Sequence, residues 1–251
     1  MKKLLLLLVF ASSFRAYTQE FTGFNNLKLY NRVSQILNAN PNLRYFFLTN
    51  DSNKKRFKKD KSVITSQPFS FDGNFLLRVD TADDVNVPLR PESQFAMQFI
   101  KMPNVKIFYL DIYTFANETL QDVYIFEMDS NIVFIDCGRP SANLIEAIEK
   151  KYQPSNSTFE NDTLPCVYKL TGVRDDKYYT TKTDDWRFSQ TQSHYVLKPH
   201  YNENCELVYS DNYIRIFDND FKKQMENYLV EQAKKSIDKQ QKKINDLQNN
   251  L

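Results

Sequence analysis

Apolar positions in this chain switch between helical and strand periods, and the switches outline its elements. Over Asn25–Asn38, Leu29, Val33, Ile36 and Leu37 share one face and Asn40-Pro41 ends the run, which predicts a helix. Leu43–Thr49 is aromatic-rich and reads as a strand. From residue 63 the pattern is mainly β, with strands expected over Val63–Ser66, Asn74–Asp80, Val105–Phe115, Leu120–Met128 and Asn131–Asp136. Asp129-Ser130-Asn131 places turn residues between two apolar runs, so residues 121–136 read as a hairpin. Phe95–Ile100 fits either period. Pro140 opens a helix to about Tyr152, with Leu144, Ile145, Ile148 and Tyr152 on one face. Residues 153–165 read as a polar loop. Strands are expected again over Cys166–Leu170, Trp186–Leu197, Cys205–Tyr209 and Tyr213–Phe217.

The last segment, Asp218–Leu251, holds neither Gly nor Pro and reads as one long helix that Asp218 or Asp220 can cap. Val230, Ala233, Ile237, Gln240, Ile244, Leu247 and Leu251 alternate at spacings of three and four. That is the a/d seam of a short coiled coil, with one polar break at Gln240. A terminal helix that docks its first half and projects its second gives the same pattern. The order of elements predicts an α+β fold: a mostly antiparallel β-sheet core, flanked by an N-terminal helix and a mid-chain helix, with a long C-terminal helix. Residues 19–217 form a single domain and 218–251 the tail.

The N-terminus fixes the expected compartment. Lys2 and Lys3 precede an uncharged apolar run from Leu4 to Ala11, and Ala16 and Thr18 supply small residues for cleavage. This is the order of a secretory signal peptide, residues 1–18, and it is too short to span a bilayer. The chain is therefore expected to be secreted or lumenal, with no transmembrane segment. Charge supports no nucleic-acid partner: Lys and Arg number 33 against 31 Asp and Glu, and the leader takes Lys2, Lys3 and Arg15 but no acid. In an oxidising compartment Cys137, Cys166 and Cys205 can form one disulfide, in any of three pairings. Asn50, Asn117, Asn156 and Asn161 begin Asn-X-Ser/Thr sequons, so a glycoprotein is expected if the source is eukaryotic. Lys54, Lys55, Arg56, Lys58, Lys59 and Lys61 surround Phe57 and form the strongest basic patch, suited to an anionic glycan, a lipid headgroup or a nucleic acid; Lys55-Arg56 also fits a dibasic processing site, and a solvated loop gives the same composition.

Candidate chemistry is sparse. The four glycines, Gly23, Gly73, Gly138 and Gly172, are far apart, so no phosphate-cradling loop and no glycine-flanked serine elbow can be built. His194, His200 and Cys205 fall within twelve residues and are competent zinc ligands or a Cys–His pair, but their spacing matches no recurrent module. No catalytic residue, metal or cofactor is assigned. Val123-Tyr124-Ile125-Phe126-Glu127, then Asn131-Ile132-Val133-Phe134-Ile135-Asp136-Cys137-Gly138 and the helix from Ser141, resembles the opening hairpin of metallo-β-lactamase-fold hydrolases, where a strand ends in Asp-X-Gly before a helix. The family's metal-binding His-X-His-X-Asp-His segment does not occur, so the resemblance implies a local hairpin and no catalysis. The reading is a non-enzymatic binding or interaction protein with an extracellular or lumenal partner, and a homo-oligomer if the seam self-pairs. The alternatives are a secreted hydrolase using carboxylates or a cryptic metal site, and a self-assembling structural component.

Overall fold

The computed structural model describes residues 19–40, 45–50, 70–71, 74–78, 94–167, 174–202 and 204–248. The expected signal peptide, the basic patch and the expected Val63–Ser66 strand lie outside them. The described elements, in chain order, are β1 (Gly23–Phe24), β2 (Leu27–Lys28), α1 (Val33–Ala39), β3 (Tyr45–Asn50), β4 (Ser70–Phe71), β5 (Asn74–Arg78), α2 (Gln94–Gln98), β6 (Val105–Phe115), β7 (Glu118–Met128), β8 (Asn131–Gly138), α3 (Ala142–Tyr152), β9 (Asn156–Val167), β10 (Arg174–Arg187), β11 (Thr191–Tyr201), β12 (Leu207–Asp218) and α4 (Asn219–Gln248). This is the expected α+β arrangement. Strands β3 to β12 form one sheet in the order β4-β5-β3-β6-β7-β8-β12-β11-β10-β9, and β1 and β2 pair separately. Every pairing is antiparallel.

The centre of this sheet is buried on both faces. Successive residues of a strand point to opposite sides. In β7, Val123 and Ile125 join one apolar cluster, while Tyr124 and Phe126 join another. The first cluster is covered by Leu144, Ile145 and Ile148 of α3 and by Phe21, Phe24, Leu27, Leu29, Val33 and Ile36 of the N-terminal segment. The second is covered by α2 and by Phe221 and Met225 at the start of α4. This is why β7 and β8 read as near-continuous apolar runs rather than as an alternation. Aromatic rings fill the α4 side: Phe126 meets Phe99, Phe134 and Phe221 with centroids 5.8, 4.8 and 6.1 Å away.

Local chemistry sets the turns and caps. Two-residue hairpins at Ala116–Asn117 and Asp129–Ser130 both take positive φ at both positions, the geometry that matches strand twist. A bulge at Asp122 (φ 50°) lets Gln121 face Gly138 while Tyr124 faces Asp136. A Cβ at Gly138 would stand 3.1 Å from the Gln121 carbonyl oxygen, so the close approach favours glycine. Ser141 caps α3 by accepting the Leu144 N–H at 3.1 Å, and Asp218 caps α4 by accepting the Phe221 N–H at 2.8 Å.

Five expected elements change. The helix over Asn25–Asn38 is a small hairpin followed by α1 alone. Asn25 and Tyr30 adopt positive φ, and Tyr30 and Asn31 bond the backbone of Ile132, so tertiary pairing overrides the helical period there. The polar loop 153–165 is mostly β9. As the edge strand it pairs on one side only and leaves most side chains in solvent, so its composition is loop-like. Trp186–Leu197 is not one strand: β10 ends at Arg187, and the Phe188 N–H bonds the Thr191 carbonyl at 2.8 Å to turn the chain into β11. Cys205–Tyr209 and Tyr213–Phe217 instead contribute to one strand, β12, which begins at Leu207. Phe95–Ile100 resolves as α2 over Gln94–Gln98 and the turn after it.

Phe126→Ala would remove a ring shared by three aromatic neighbours, so a loss of about 3–5 kcal/mol is expected. Denaturant unfolding checks this: the midpoint should fall with little change in slope.

Candidate binding surface

Beyond the reach of the covering helices, β9 to β12 continue as a four-stranded arm. Its side chains come into contact through cross-strand register. Lys198 faces Asp211 and His200 faces Tyr209. The His200 ring stacks on Tyr209 at 4.3 Å and 15°, and its Nε2 lies 2.8 Å from Asp211. Tyr179 donates to Asp162 at 2.9 Å and packs on Tyr201, with centroids 5.7 Å apart. Lys177 lies 5.2 Å over the Tyr201 ring. The Thr163 N–H and the Tyr179 hydroxyl both bond Asp162 and hold its carboxyl below the usual range. Tyr178, Leu207, Val208 and Tyr209 are exposed here. The arm thus presents aromatic rings interleaved with fixed carboxylates and lysines.

A disulfide and one asparagine hold the arm's end. Asn202 accepts the N–H groups of Asn204 and Glu206, and its carbonyl accepts the Cys205 N–H at 2.9 Å. Cys205 is turned to φ 63° and bonds Cys166, with Cα atoms 5.5 Å apart. Of the three possible pairings, the structure has Cys166–Cys205, and Cys137 is a buried free thiol whose pKa burial pushes up. The bridge passes the start of β10, because Cys166 faces Asp175 one residue into that strand.

Nearer the core, a row of side chains crosses the sheet on the α4 side. Directly opposed residues run Asp185, His194, Arg215, Asp136, Tyr124 and Tyr109. His194 Nδ1 lies 2.8 Å from Asp185, and Arg215 Nε donates to Asp136 at 3.2 Å. The Arg215 guanidinium lies 3.8 Å from the Phe95 ring centroid and 4.2 Å from that of Tyr213. Burial raises the pKa of Asp136, and Arg215 opposes that rise. Asp136 is the acid of the Asp-X-Gly stretch, and it is committed to this structural pair.

The sequence-level candidates do not converge. His194 and His200 stand six residues apart on β11, about 20 Å, and each imidazole is held by its own aspartate. Cys205 is in the disulfide. Among the described residues no group of three or more His, Cys, Asp or Glu side chains is placed to hold a metal. An open cleft of about 610 Å³ lies between Tyr30, the β10–β11 turn and the start of α4. Its acids are already partnered: Asp218 caps α4 and accepts Tyr30 at 2.9 Å, Asp220 meets Lys223, and Glu226 meets Lys222. Burial and Asp218 push the Tyr30 phenol up. Of the sequon asparagines, Asn117 is exposed at the β6–β7 turn and Asn156 and Asn161 are exposed on β9, while Asn50 closes β3. No helix among the described residues is long and apolar enough to cross a membrane. The arm's aromatic surface was not legible in sequence, because it depends on register between strands that are far apart in the chain.

Replacing both Cys166 and Cys205 by Ser opens a 39-residue separation and should cost about 2–4 kcal/mol. Hydrogen exchange checks where the loss falls: amides near residues 160–167 and 205–210 should exchange faster, while those of β7 and β8 lose protection less. Comparison with known protein families, curated proteins and solved structures gives no match to this chain, so its function is argued from this geometry.

Proposed function

We propose that this chain is a secreted or lumenal interaction protein rather than an enzyme, with a stapled sheet domain that binds a partner and a C-terminal helix that joins copies of the chain. The observation that carries this reading is the state of α4. The helix has 30 residues, about 45 Å of length. Only its first turns pack on the sheet, through Phe221, Met225, Tyr228 and Leu229. Beyond them Val230, Ile237, Ile244 and Leu247 are 69%, 63%, 48% and 68% exposed. An apolar stripe held in water along a projecting helix has a use only when something covers it.

The arm supports the binding half of the reading. Its rings and charges are immobilised by cross-strand pairs and by the disulfide, so little ordering remains to be done when a partner lands. A structural disulfide is the usual equipment of secreted domains, in keeping with a leader at residues 1–18. Under this reading Asn117, Asn156 and Asn161 are the exposed glycan acceptors. The two on β9 would flank the open edge of the sheet with sugar and discourage further strand pairing. The histidines, each tied to one carboxylate with no hydroxyl or thiol bonded to it among the described residues, offer no nucleophile–base pair.

Light scattering on the mature chain, residues 19–251, and on a chain ending at residue 229 tests the assembly. The full form should show a multiple of the monomer mass at micromolar concentration, and the shortened form the monomer mass with its unfolding midpoint unchanged. A monomer mass for both removes the assembly.

A further inference from the structure

The partner of the α4 seam can be specified further, on the reading above that it is a second copy of this chain. We infer that residues 230–248 of two copies pair as a parallel, in-register, two-stranded coiled coil in which Gln240 meets its own counterpart.

The first support is where the seam points. Phe221, Met225 and Tyr228 define the stripe that docks on the sheet. At about 100° per residue, Val230 comes about 180° around the helix from Phe221. The seam therefore begins on the side turned away from its own domain. The two surfaces share one helix, and Leu229, which packs on the domain, lies at the border between them.

The second is which residues fill the seam. Val230, Ile237 and Ile244 occupy a positions, and Ala233, Gln240 and Leu247 occupy d positions. β-branched residues at every a position, with Leu at one of the three d positions, lean toward two strands over three or four. Gln240 selects the orientation. In a parallel, in-register pair each layer brings like positions together, so two Gln240 carboxamides meet and each can donate to and accept from the other. In an antiparallel pair a d residue faces an a residue, and the carboxamide would lie against Ile237 or Ile244 with its polar atoms unmatched.

The third is the charge on the flanks. In the parallel register, g residues meet e residues of the following heptad, which gives Leu229 with Lys234, Ser236 with Gln241 and Lys243 with Gln248. No pair sets like charges together, and the lysine stems can lie over the apolar layers. The acids Glu231, Asp238 and Asp246 fall on the outer faces, where Glu231 already pairs with Lys235 at 3.8 Å. A lone helix of this length standing in water is marginal without an apolar partner, which gives the pairing its driving force.

Single cysteines placed in the full mature chain test the arrangement. Ala233→Cys sits in the seam and Lys239→Cys on the outer face, and both are read by crosslinking under mild oxidation together with light scattering. We expect a twofold mass for both variants, a crosslinked dimer as the main product of A233C and at least tenfold less from K239C. Gln240→Leu should tighten association at least tenfold, since it removes a polar layer. A twofold mass with A233C crosslinking no better than K239C overturns the parallel register and leaves self-association standing. A monomer mass overturns both. An unchanged unfolding midpoint shows that the domain is intact in each variant.

Discussion

The burial of β7 and β8 on both faces is the constraint on which the rest of this structure depends. Side chains from these strands alternate between two apolar clusters, and neither cluster can be left in water. Two covers are therefore needed. The N-terminal segment and α3 supply one, and α2 with the first turns of α4 supplies the other. Two charged pairs between sheet and covers are matched: Arg215 meets Asp136, and Lys182 bridges Glu149 of α3 and the buried Asp184, while the buried Trp186 Nε1 and Ser193 Oγ find no hydrogen-bond partner among the described residues. A buried ion pair of this kind is weak evidence for stability but strong evidence that both partners are held in place.

Where the covers end, a different device takes over. Among the described residues no layer packs over the outer halves of β9 to β12, and an uncovered four-stranded extension has little apolar burial to hold it. The Cys166–Cys205 bridge and the Asn202-centred loop supply order there by cross-linking and hydrogen bonding. Rings such as Tyr209 can then remain exposed yet fixed. Rigid, half-exposed aromatics are enriched in binding surfaces, with polar and charged groups at their rims. The same division appears in α4, whose first turns pack on the core and whose remainder keeps its apolar residues exposed.

Much of the fold was legible in the sequence because its signals are local. The β7–β8 hairpin announces itself through Asp129-Ser130-Asn131, α3 through Pro140 and its apolar face, and α4 through the absence of helix breakers and the cap at Asp218. The errors have physical causes. Leu29, Val33 and Ile36 face the core and Leu37 packs against it, so their spacing imitated one helix although Asn25 and Tyr30 bend the backbone out of it. Strand β9 looked like a loop because an edge strand keeps its polar residues in water. The candidate surface was illegible for another reason: Tyr179 and Tyr201, or Cys166 and Cys205, are brought together only by strand register. The histidines were sequence neighbours that β11 holds apart.

Under the proposed reading, one helix is divided into a half that belongs to the domain and a half that belongs to an assembly. Hydrogen exchange along α4 as a function of protein concentration reads that division directly. Amides of residues 222–229 are expected to be protected at every concentration, while those of 234–248 gain protection as concentration rises through the association range. Protection of both halves that is equal and independent of concentration would contradict it.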